Sequence, residues 1–176
     1  MHLTLHHASS FSSILSHVTP TSLLLLCSDP TPALSSTPPT LTLSVLSQTS
    51  ATRVVILPSI PHLRAYLTTL RDETGVDSII IWGLLEAHRD TEDGLEWTAQ
   101  GLGRTLGSLV EAIGRYEGKV KGILVEWDGG DENGEKVMWD LMDVDVLRGG
   151  GGGTVKIRRV LERWGMCGED WVGDTS

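Results

Sequence analysis

Two cysteines, Cys27 and Cys167, are all that 176 residues contain, too few for a disulfide framework or a cysteine metal set. Cys27 closes the apolar run that starts at Leu23, which marks it as a buried thiol rather than a nucleophile. Reduced thiols fit a nuclear or cytoplasmic protein. No apolar run approaches the roughly 20 residues that span a bilayer, so no membrane role is expected. The first residues show neither a secretory pattern nor an Arg-rich transit pattern. A phosphate loop is also missing. After the first apolar stretch the chain offers His6-His7-Ala8-Ser9-Ser10, without the glycines that let backbone N–H groups approach phosphates or the Lys that neutralises them. No nucleotide cofactor, no metal and no catalytic residue are therefore expected, and the chain reads as a non-enzyme. No Lys or Arg precedes Arg53, and Asp29 is the only acid before Asp72.

What is present is a complete strand, helix, strand unit over Val76 to Asp128. Ser78-Ile79-Ile80-Ile81-Trp82 and Gly122-Ile123-Leu124-Val125-Glu126-Trp127 are apolar almost throughout, as strands covered on both faces are. Between them, Ala99, Leu102, Leu106, Leu109, Val110 and Ile113 form one helical stripe. A parallel crossover follows, and with it an α/β layer fold.

Strands are expected at His2 to His6, Leu23 to Cys27 and Arg53 to Leu57, and a helix after Pro61 with Leu63, Tyr66, Leu67 and Leu70 on one face. Leu41 to Leu46 is compatible with an edge strand or a helix. Val137 to Leu147 and Thr154 to Trp164 read as two strands joined by a five-glycine linker at 149–153, an antiparallel pair at the sheet edge. The domain reading is one unit over residues 1–164, with a mobile Ser/Thr/Pro loop at about 28–40, an acidic loop at 128–136 and a flexible tail at 165–176.

The net charge of −9 and pI near 5.0 argue against a surface dominated by phosphate binding, but the charge is unevenly placed. Acids crowd Glu126 to Asp145. From Arg148 to Trp164 the sign reverses, with Lys156, Arg158, Arg159 and Arg163. A basic strand neutralised by its acidic neighbour and a nucleic-acid surface are both open. Glu86, His88 and Asp90 with Arg89 resemble an acid/base or metal set, but their spacing defines no metal geometry; an enzyme would place its site around Glu86, His88 and Glu126. Gln100 and Arg104 lie one turn apart and could share a partner. The glycines of Gly101-Leu102-Gly103-Arg104-Thr105-Leu106-Gly107 sit inside the helix and suit close packing rather than phosphate. Trp82 and Trp127 should pack together, whereas Trp164 and Trp171 suit an interface.

The order of the strand at Ile79 to Trp82, the polar loop, Trp97-Thr98-Ala99-Gln100-Gly101-Leu102-Gly103-Arg104-Thr105-Leu106, the strand at Ile123 to Glu126 and the late Thr154-Val155-Lys156-Ile157-Arg158-Arg159-Val160 resembles RecA-family recombinase paralogues. Trp82 stands where the family has a magnesium-supporting acid, and His7 to Ser10 where it has its phosphate loop. The resemblance is thus to degenerate, non-catalytic members such as accessory subunits of the Shu complex, and more distantly to the inactive RecA-like subunits of Elongator. It implies a RecA-like, mostly parallel sheet flanked by helices, and a scaffold in DNA recombination and repair that binds a paralogue partner and DNA. The expected DNA contacts are Lys156, Arg158, Arg159 and Arg163; the expected partner contacts are Arg89, Trp97, Gln100, Arg104 and Trp164. An Elongator-like scaffold for tRNA modification, or a small α/β enzyme around Glu86, His88 and Glu126, is the alternative.

Overall fold

The computed structural model describes residues 3–8, 14–15, 18–28, 43–71, 75–91, 96–117, 119–127, 142–148, 153–166 and 171–172. Most of the Ser/Thr/Pro loop, the acidic loop and most of the glycine linker lie outside these residues, as does 137–141 of one expected strand.

Six parallel strands form the main sheet: β1 (Leu3–Ala8), β2 (Ser22–Leu26), β3 (Arg53–Ile56), β4 (Ser78–Trp82), β5 (Lys121–Trp127) and β8 (Trp171–Val172), in the order β3-β2-β4-β5-β1-β8. Every residue of β2 and β4 is buried. That is the physical reason these strands are apolar throughout rather than alternating: both faces need cover. Trp171–Val172, within the segment read as a flexible tail, pairs in parallel with Leu5 and His6 of β1.

Two cores flank the sheet. On one face Leu5, Leu23, Leu25, Ile79, Ile81 and Leu124 pack against α2 (Ile60–Thr69) and α4 (Ala99–Gly114). Leu102, Leu106, Leu109 and Ile113 of α4 are fully buried, the stripe that the periodicity requires. Arg115 Nη1 donates to the carbonyls of Leu67, Thr68 and Leu70, which ties α4 to the end of α2. On the other face Ala8, Ile14, Val18, Leu24, Leu26, Ile80 and Val125 enclose Trp82, and Trp127 packs against the same cluster. That Leu124 faces the first core and Val125 the second follows from the two-residue pleat. The described part of the ambiguous segment Leu41 to Leu46, residues 43–46, belongs to a helix, α1 (Leu43–Ser50).

Two expectations change. After Trp82 the chain forms a short helix, α3 (Leu84–Arg89), rather than a loop. The supposed basic strand is strand only over β7 (Thr154–Lys156), and continues as helix α5 (Ile157–Arg163). Ile157, Val160 and Leu161 stand at helical spacing and are all buried, so docking onto the main core outweighs the β-branched preference for strand. The antiparallel pair exists, β6 (Asp145–Leu147) with β7, but as a separate two-stranded sheet rather than an extension of the main edge. A single parallel bridge, Thr98 to Leu147, holds it beside the start of α4. The arrangement is α/β, with a mostly parallel sheet between helices and a C-terminal antiparallel pair, consistent with the RecA-like class.

Candidate functional site

The residues that suggest acid/base chemistry have structural occupations. Gly83 follows Trp82 with φ of +70°, donates its N–H to the Val125 carbonyl at 2.9 Å and launches α3. The first amides of α3 then meet Glu126 at the end of β5, and Leu85 N–H donates to its Oε1 at 2.8 Å. Burial pushes the Glu126 carboxyl up to about 8, although the amides of Leu85, Glu86 and Leu84 pull it down. Cys27 is buried close by, and burial, with Glu126 beside it, pushes its thiol up to about 12. A thiol held there is neutral and inert at physiological pH.

His88 is fully buried on α3. Its Nδ1 lies 2.9 Å from the Glu96 carbonyl, which can only accept, so Nδ1 carries the hydrogen. In the neutral ring Nε2 then accepts from the Thr105 hydroxyl at 3.0 Å. Burial drives the ring down to about 4, with Arg64 nearby adding to the effect. Arg64 of α2 completes the cluster: Nε donates to Thr105 Oγ1 at 2.9 Å, Nη1 to Glu96 Oε1 at 3.0 Å, and Nη2 to the Gly101 carbonyl at 2.8 Å and to Glu96 Oε2. The Arg64 hydrogen bond holds the Glu96 carboxyl below its ordinary range. This network fixes the first turn of α4, which Thr98 caps by accepting from Gly101 N–H at 2.9 Å.

The two buried groups give opposite pH slopes. The folded chain keeps a proton on Glu126 up to about 8, whereas an unfolded carboxyl loses it near 4.5. Its stabilising contribution is therefore full below 4.5 and is lost as pH rises through 8. His88 takes up a proton near 6.5 when unfolded and only near 4 when folded, so its contribution is full above 6.5 and is lost as pH falls through 4. Glu126→Gln is expected to flatten the alkaline slope of the urea midpoint between 4.5 and 8 and to leave the acid slope in place. An unchanged slope in the variant would reject this assignment.

Past the capped turn of α4, the helix faces β7, α5 and the end of β6 across a groove of about 780 Å³. Ala99, Gln100, Gly103 and Arg104 form one wall, and Arg148, Val155, Arg159, Val160, Arg163 and Trp164 the other. Four arginines line it, and among the described residues no carboxylate does. Arg159 is paired with Glu162 at 3.0 Å, an exposed i,i+3 contact of little worth. Arg104, Arg148 and Arg163 make no ion pair among the described residues. Val155, Val160 and Trp164 are the larger apolar residues of its lining. In chemical terms the groove is a cation cluster beside apolar side chains, suited to a polyanion rather than to bond making.

The structure brings together residues that the sequence places in two groups. Gln100, Arg104 and Trp164, expected at a partner, share the groove with Arg159 and Arg163, expected at DNA. Lys156 and Arg158 stand apart: both lie beside Asp143, at 4.0 Å and 3.6 Å, and Lys156 Nζ also donates to the Asp143 carbonyl at 2.8 Å. Arg89 is half exposed beside Glu86 and Asp90, away from the groove. Trp97 packs, partly buried, against the main core and does not line the groove. Arg148 is the groove residue that sequence reasoning did not select, although the reversal of charge begins with it. No protein-family model matches the chain, and no curated protein matches it.

Proposed function

We propose that this chain is a non-catalytic RecA-like subunit that scaffolds a DNA recombination and repair complex in the nucleus, and that it holds nucleic acid by the phosphates in the arginine groove. The groove carries this reading. In a chain of net charge −9, four guanidinium groups gathered on one concave surface make a local positive field. Guanidinium groups are well matched to phosphate oxygens, and such contacts give affinity without sequence reading. His88, Glu126 and Cys27 are buried in the fold, which favours a binding role over an enzymatic one. A paralogue partner would take the β3 side of the sheet, where Val54 and Ile56 are exposed in an edge strand.

The test is DNA binding by fluorescence anisotropy over a range of salt. Arg104→Ala with Arg163→Ala should weaken binding and reduce the slope of log K against log salt by about 1.5, as loss of two phosphate contacts requires. Lys156→Ala with Arg158→Ala should change that slope little, because Asp143 already faces both. A slope unmoved by the groove pair would overturn the reading. The same titration with tRNA separates a recombination scaffold from one in tRNA modification.

A further inference from the structure

The arginines of the groove converge from three elements. Arg104 stands on α4, Arg148 follows β6 directly, and Arg159 and Arg163 lie one turn apart on α5. The backbone N–H of Arg148 donates to the Gly153 carbonyl at 3.0 Å, which fixes the point from which its side chain reaches the groove. Two cations four positions apart on one helix repel each other, so Arg159 and Arg163 work against the stability of α5. Glu162 answers one of them, and only in an exposed contact. The fold thus gathers like charges around one space. Ala99 and Gln100 add to the field, since they belong to the first turn of α4, the positive end of its helix dipole.

Dimensions decide what can satisfy this field. A space of about 780 Å³ has the size of a small-molecule site, a class that runs from roughly 300 to 1,000 Å³. A nucleic-acid strand carries one charge per nucleotide and sets a sugar between successive charges, so it meets these arginines one or two at a time. A molecule whose phosphoryl groups share an oxygen, or sit on neighbouring ring carbons, brings three or more at once. Guanidinium groups bind each of them through paired N–H donors. The groove is also separate from the end of β1, where the resemblance places a nucleotide's phosphates: no residue of β1 to β5 lines it.

We propose that the groove is a site for a compact polyphosphate, a small molecule with at least three adjacent phosphoryl groups, held jointly by Arg104, Arg148, Arg159 and Arg163. The proposal rests on the phosphate reading of the groove and adds a second, smaller ligand to it. Because the arginines are shared, the small ligand and nucleic acid exclude each other. The concentration of the one then sets how much of the protein is open to the other.

The probes are tripolyphosphate and inositol hexakisphosphate, with orthophosphate at equal ionic strength as the control and a chelator present to remove divalent cations. Titration calorimetry on the full chain should show one site, and an affinity for the better polyphosphate roughly a hundredfold above that for orthophosphate, as two further charge-assisted contacts give. Preference for tripolyphosphate points to a linear chain as the source, and preference for inositol hexakisphosphate to a phosphorylated ring. Arg104→Ala with Arg163→Ala should lower the affinity about a hundredfold. Lys156→Ala with Arg158→Ala, an equal change of net charge outside the groove, should leave it in place. The comparison with orthophosphate needs no variant, so it decides the matter even if the groove variant fails to fold. Saturating polyphosphate should also displace labelled DNA. Equal affinity for polyphosphate and orthophosphate, or equal losses in the two double variants, overturns the proposal, and so does DNA that stays bound at saturating polyphosphate. In each case a salt slope of DNA binding that still depends on Arg104 and Arg163 leaves the phosphate reading standing. Failure of DNA and of both polyphosphates to bind at low salt overturns both.

Discussion

Arg64→Ala is expected to lower the unfolding free energy by on the order of 3 kcal/mol, as the loss of one partner from a largely buried ion pair does. Arg64 and Glu96 are only 18% and 19% exposed, so solvent screens the pair weakly. The single guanidinium serves three acceptors: the Glu96 carboxylate, the Thr105 hydroxyl and the Gly101 carbonyl. Truncation leaves each of them short of a donor in a place where water is scarce, and it also frees the first turn of α4 from α2. Arg64→Lys should recover only part of the loss, since an ammonium cannot span the fork of the carboxylate and reach Thr105 as well. Urea denaturation checks both. A midpoint for Arg64→Ala within error of the unaltered chain would show that the network orients α4 without stabilising it.

Gly83→Ala should cost about 3 kcal/mol, from two sources that act together. The backbone at Gly83 is in the left-handed region, with φ of +70°, where a Cβ costs about 1 kcal/mol. The added Cβ would also lie 1.9 Å from Ser28 Oγ and 2.6 Å from Ser28 Cβ, the latter a position that no side-chain rotation relieves. An overlap of that size displaces backbone at the ends of β2 and β4 and adds a further ~2 kcal/mol. Ser28→Gly placed in the same chain removes the overlap and leaves the φ strain, so the double variant should regain about two thirds of the loss. If it regains nothing, the backbone conformation alone sets the requirement for glycine.

The parallel sheet was legible because burial on both faces leaves a direct mark on composition: Ile79-Ile80-Ile81 and Leu23-Leu24-Leu25-Leu26 admit few other environments. The α4 stripe was legible for a similar reason, as one packed face imposes one period. The segment Val155 to Val160 was not. Its apolar residues satisfy a two-residue period through Ile157 and a helical one beyond it, and only docking against the main core decides between them. The polar run after Trp82 concealed α3 because six residues are too few to show a stripe, and because His88, polar in type, is fully buried there through its two hydrogen bonds. The groove was legible in its members but not in its assembly. Gln100 and Arg104 lie far along the chain from Arg159, Arg163 and Trp164, and the bridge between Thr98 and Leu147, which no local pattern announces, helps to bring their elements together.

The place of β1 in the sheet also governs the order in which the chain can mature during translation. β1 leaves the ribosome before β2 to β5, yet it sits between β5 and β8; Leu3 finds its partner in Gly122, about 120 residues later. At typical elongation rates of roughly 5–20 residues per second, that delay is on the order of 10 s. β2, β3 and β4 can pair among themselves in the interval, whereas β1 must wait, its Leu3 and Leu5 side chains uncovered. A nascent chain with an uncovered apolar strand is a natural client for a holding chaperone until β5 arrives, and β8 can add to the sheet only after that, since its partner is β1.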